Sequence, residues 1–120
     1  PDYSSAASDV YKRQLYDLID EKNIKEVIFL SGDRHSGGIY NQITNKGVRL
    51  YEITSSSLNL PGAAWVTKYK GKERPNEPGP NRINSLYQWE NYGFIEFTEN
   101  KIQLSLKDIK GKPVNSITIN

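Results

Sequence analysis

The chain has 120 residues, 16 of them Lys or Arg and 14 Asp or Glu, for a net charge of +2. That length holds one small domain, and so slight a basic surplus, spread along the chain, argues against a nucleic-acid-binding surface. The absence of cysteine and the presence of a single histidine exclude disulfides, thiol nucleophiles and Cys- or His-rich metal sites within the chain.

No apolar run exceeds four residues, the length of Val27-Ile28-Phe29-Leu30, far short of the roughly 18 residues a transmembrane helix needs. The chain contains no methionine, and its polar opening lacks the basic and apolar regions of a signal peptide. The string from Ser4 to Gln14 resembles translated sequencing-adapter read-through. Residues 1–14 are therefore expected to be a non-native leader, and 15–120 the C-terminal part of a longer domain. The alternative is a flexible tail that lends a turn to the first helix.

Over 9–22 the apolar positions Val10, Leu15, Leu18 and Ile19 fall near a 3.6-residue period, which predicts a helix. Asn23 suits its end. The run Val27 to Leu30 predicts a strand buried on both faces, as in an α/β sheet. It stops at Ser31-Gly32-Asp33-Arg34-His35-Ser36-Gly37-Gly38, a small-residue loop with a charged centre. Residues 39–44 and 48–54 flank Asn45-Lys46-Gly47 and predict a tight hairpin. The stretch 55–91 carries four of the six prolines and is expected to be a long loop, of the kind that often forms lids or binding surfaces. Strands follow at 94–98, 101–108 and 114–119, where Ile102, Leu104 and Leu106 alternate as for an antiparallel sheet with one wet face. One α/β unit is thus followed by a β-rich half, and the single helix is too little to cover both faces of such a sheet.

The chemistry concentrates past the end of the apolar strand, where open α/β sheets place their ligand sites. Asp33 and His35, two apart on an extended segment, project to the same side. A carboxylate and an imidazole suit Fe, Mn or Zn, one ion each or a shared pair. Two ligands hold a metal poorly, so more must come from elsewhere. The alternative is that Asp33 caps a turn and His35 makes a surface hydrogen bond. Glycines 32, 37 and 38 would let the backbone bend and approach a ligand.

Leu30-Ser31-Gly32-Asp33-Arg34-His35, followed by Leu50-Tyr51-Glu52-Ile53-Thr54-Ser55-Ser56-Ser57-Leu58-Asn59, resembles the C-terminal part of the PhoD-like (alkaline phosphatase D type) metallophosphoesterases. Asn91-Tyr92-Gly93-Phe94-Ile95-Glu96 and the segment from Leu106 to Val114 are similar to that family's closing hairpins. The resemblance implies the C-terminal half of a four-layer α/β/β/α sandwich of the calcineurin-like superfamily. It also implies hydrolysis of phosphate mono- or diesters by a metal-activated water. Asp33 and His35 would be metal ligands for two or more ions (Fe, Ca, Mn or Zn), standing where related enzymes carry a Gly-His-x-His block. The family's earlier Asp- and Asn-based ligands have no counterpart, so the partner implied is a missing N-terminal half of the same domain, and the chain alone is expected to be inactive. Exported members of the family point toward the periplasm or cell surface.

Arg34 is either a phosphate contact through its guanidinium or a solvent-facing partner of a carboxylate. Ser55, Ser56, Ser57 and Asn59 either orient His35 or cap a turn, Asn59 being the candidate substrate contact. Trp65, Tyr69, Tyr87, Trp89 and Tyr92, interspersed with Lys68, Lys70, Lys72, Arg74 and Arg82, either form a rim for an anionic, partly aromatic substrate or pack the loop onto the sheet. If the metal site is absent, the chain reads as a small β-rich module that binds a ligand through this aromatic and basic loop.

Overall fold

A computed structural model describes residues 3–63 and 79–120, with side chains from Asp9 onward. A helix, α1 (Tyr3–Glu21), is followed by strands β1 (Glu26–Ser31), β2 (Gly37–Ile43), β3 (Arg49–Ser55), β4 (Arg82–Tyr87), β5 (Asn91–Phe97), β6 (Ile102–Asp108) and β7 (Pro113–Ile119). The strands form a four-stranded sheet in the order β1-β3-β2-β4 and a three-stranded sheet in the order β5-β6-β7. Only β1 and β3 run parallel; the other described pairs are antiparallel.

The helix starts six residues earlier than its periodicity predicts and ends as expected at Asn23, whose φ is 54°. There Asn23 N–H donates to Asp20 O and Ile24 N–H to Ile19 O, the paired bonds that close a helix around one left-handed residue. Of the four apolar positions that predict it, Ile19 is buried and Val10, Leu15 and Leu18 stay exposed. Ile19 and half-buried Tyr16 pack on Val48, Leu50, Val27 and Phe29, so the last turns of α1 cover one face of the four-stranded sheet.

The opposite face of that sheet packs on the three-stranded one. Ile39, Ile53, Leu104, Leu106 and Ile119 form this second core, supplied by the alternation the sequence predicts for β6. The expected hairpin also forms: Thr44 and Val48 exchange bonds across Asn45-Lys46-Gly47, with Gly47 at φ 87°.

The expected half of an α/β/β/α sandwich does not form. The described chain is β-rich, with a single helix against two largely antiparallel sheets. Three of the six successive strand pairs, β2-β3, β5-β6 and β6-β7, are hairpins, and the outer face of the three-stranded sheet carries polar and charged groups. Ser105 and Ser116 hydrogen-bond across it, and the Lys107 ammonium lies 3.7 Å from the centre of the Phe94 ring.

Two further expectations need correcting. β1 is not buried on both faces: it lies at the sheet edge, its residues are half-buried, and Leu30 is 71% exposed. The stretch 55–91 is not loop throughout, because β4 lies within it. Its alternation is hidden by a register shift against β2 between Gly37 and Ile39 and by Asn84 at φ 62°, an angle that asparagine tolerates. Among the described residues no helix is long and apolar enough to cross a membrane.

Candidate functional site

Parallel pairing brings the C-terminal ends of β1 and β3 side by side, Ser31 opposite Thr54. The loop that leaves β1 carries Asp33, Arg34 and His35; the one that leaves β3 carries Ser56 to Leu60. The two loops are joined through His35. Ser56 Oγ accepts the N–H of Arg34 at 2.7 Å and that of His35 at 3.0 Å. The His35 carbonyl accepts the N–H of Gly62. The imidazole Nδ1 lies 2.9 Å from Leu60 O. A carbonyl only accepts, so in the neutral ring this contact places the proton on Nδ1 and the lone pair on Nε2.

The segment is not extended, contrary to expectation. Asp33 and His35 both occupy the left-handed region, with φ of 62° and 53°, at a cost of about 1 kcal/mol or more each. Both residue types visit that region more readily than most, and the Ser56 and Gly62 bonds hold the backbone there. Asp33 and Arg34 are exposed and His35 half-buried. Among the described residues no group of three or more His, Asp or Glu side chains converges as a metal cage would require.

The two expected substrate contacts face different spaces. Arg34 lines a cavity of about 310 Å³ between α1 and the four-stranded sheet, together with Lys12, Tyr16, Tyr40, Glu52 and Arg82. Asn59 lines another, of about 370 Å³, with Ser55 to Leu58 and Asn91 to Gly93. Of the anticipated aromatic and basic rim, Trp65, Tyr69, Lys68, Lys70, Lys72 and Arg74 lie outside the described residues. Trp89 is exposed, whereas Tyr87 ends β4 opposite Gly37.

Burial, helped by the carboxylates of Asp108 and Glu90, pushes the Tyr87 hydroxyl above its ordinary pKa of 10.0. The folded protein therefore keeps a proton that the unfolded chain gives up above about pH 10, so this contribution is intact below that pH and is lost as pH rises through the folded value. Tyr87→Phe is expected to flatten the alkaline fall of the thermal midpoint; melts of both proteins across that range check this, and an unchanged slope would count against it.

Two features of this site, the Leu60 carbonyl and Asn91, escape sequence reasoning, and a third, Ser56, is named by it without its backbone partners. The Leu60 carbonyl is a backbone group without a side-chain signature. Ser56 acts on two backbone N–H groups rather than on the ring, and only the turn-forming habit of serine hints at it. Asn91, 1% exposed, stands on the inward face of β5, and a polar residue at an apolar-phase position is its only signal. The expected role of the glycines also changes. A side chain at Gly37 would come within 2.5 Å of Asn91 Oδ1, so this glycine makes room for a protein side chain.

No family model, curated protein or solved structure matches the chain.

Proposed function

We propose that the chain serves metal-dependent hydrolysis of phosphoric mono- or diesters, as the part of a PhoD-like enzyme that carries the last metal-ligand block, and that it is inactive without ligands from outside the described residues. The observation that carries this proposal is the bond from His35 Nδ1–H to Leu60 O. Metal-ligating histidines characteristically donate their other ring nitrogen to a carbonyl or carboxylate, which fixes the tautomer and raises the basicity of the ligating nitrogen.

The donor chemistry fits a metal in part. His35 Nε2 and the exposed Asp33 carboxylate, two residues apart, offer one nitrogen and one oxygen donor, a set that suits Fe, Mn or Zn better than the all-oxygen shell of Ca²⁺. A bound metal would lower the pKa of water and offset charge on the phosphoryl oxygens. Arg34 follows Asp33 directly, and its guanidinium can take two phosphoryl oxygens at once. Asn59 lines a different cavity from Arg34 and has no part in this reading.

A second reading, a non-catalytic binding module, draws on the cavity under α1. Lys12, Arg34 and Arg82 outnumber Glu52 there, and Tyr16 and Tyr40 supply aromatic surface, a lining that suits an anionic aromatic ligand.

Titration with Mn²⁺ separates the two, because the chain has one histidine and its imidazole signals need no assignment. The hydrolase reading expects the His35 ring resonances to broaden ahead of signals from exposed carboxylates elsewhere. Ring signals that stay sharp while those carboxylates broaden would overturn it, and a response of Tyr16 and Tyr40 to an aryl phosphate alone would favour the binding module.

A further inference from the structure

We infer that Asn91, on the other sheet, is a positioning residue for His35. Its amide is buried and satisfied on every side: Oδ1 accepts from Ser55 Oγ at 2.7 Å, and Nδ2 donates to Ser57 Oγ at 2.6 Å and to Trp89 O at 2.7 Å. Ser55 and Ser57 are the two neighbours of Ser56, the residue whose hydroxyl holds the backbone of Arg34 and His35. Ser57 is fully buried, so its hydroxyl has no water to turn to. Asn91 also meets the His35 segment from the other side, since it fills the space left by Gly37.

One amide thus fixes the strand end before Ser56, the residue after it, and the chain two residues past His35. The Leu60 carbonyl that sets the imidazole tautomer follows in the same loop, three residues beyond Ser57. Short-range order at His35 therefore depends on a side chain from β5. Left-handed backbone at His35 persists only while its surroundings over-determine it, and Asn91 is the hub of those surroundings. Its importance to chemistry rests on the working imidazole proposed above, whereas its hold on the ring does not.

The test uses the two nitrogen signals of the single imidazole, recorded with the ring neutral. Asn115 is the matched control. It is another buried amide bridging the sheets, and its hydrogen bonds go to Asn84 and Ile83 O of β4 where those of Asn91 go to the residues around Ser56. In the unaltered protein the proton resides on Nδ1. Asn91→Ala is expected to convert His35 to a mixture of both tautomers, and Asn115→Ala to leave it on Nδ1 at a comparable loss of thermal midpoint. Asn91→Asp, which keeps the acceptor toward Ser55 but reverses the polarity toward Trp89 O, is expected to fall between. If Asn91→Ala does not fold, Asn91→Asp and Ser56→Ala carry the test. A ring that keeps its Nδ1 proton in all Asn91 variants, or loses it equally in Asn115→Ala, would overturn the inference. A Mn²⁺ titration that fails on the unaltered protein strikes the hydrolase reading and leaves this coupling standing.

Discussion

His35→Asn is expected to weaken Mn²⁺ or Zn²⁺ binding by about 100-fold, the upper end of what even an indirect partner costs at a metal centre, while the fold survives. Asparagine is the informative replacement because His35 sits at φ 53°, where alanine would add backbone strain and asparagine does not. The substitution removes one ring hydrogen bond, to Leu60 O, worth about 1 kcal/mol. The backbone bonds from Ser56 and Gly62 do not involve the ring and remain. Calorimetric metal titration reads the first effect and a thermal melt the second. Metal affinity equal to that of the unaltered protein would remove His35 from the site.

Leu104→Ala is expected to lower unfolding free energy by about 3 kcal/mol. Leu104 is 0% exposed and packs in the cluster that joins the two sheets, with Ile39, Ile53, Leu106 and Ile119. It lies opposite Ile95 on one side and Ile117 on the other, so neither neighbouring strand can collapse into the space without breaking its own ladder. For a domain of this size such a loss is a large fraction of total stability. The same change at Leu18, 47% exposed on α1, should cost well under half as much. Urea unfolding measures both, and equal effects at the two positions would mean that the sheets do not share a core.

The elements that sequence reasoning found are those whose signals are local. Asn23 as a helix stop, Gly47 in the hairpin turn and the alternation through Ile102, Leu104 and Leu106 each depend on neighbours a few residues away, and each is where the sequence places it. What escaped is set by distant partners. Val27 to Leu30 looks like an interior strand by composition, yet its place at the sheet edge depends on which strand flanks it. β4 was masked by its bulge. The layered sandwich was expected from a resemblance in motifs, and motifs report loop chemistry more faithfully than they report how many helices cover a sheet. At the site, His35 and Asp33 stand out by residue type, but the left-handed backbone between two loops is created by Ser56, Gly62 and Asn91, from two other strand ends.

The parallel pairing of β1 with β3 bears on the order in which the chain assembles. β2 and β3 meet across a short turn and can zip within microseconds, as hairpins do. β1 has nothing to pair with until that hairpin exists, because its partner is the farther strand of the two. Closing that longer loop carries an entropic cost before any contact repays it. During the interval Val27 to Leu30 lie open along both edges, a short β-prone apolar segment guarded by charge only on its N-terminal side, by Lys25 and Glu26. Refolding at high protein concentration should therefore lose material to association through this segment before the native sheet can capture it.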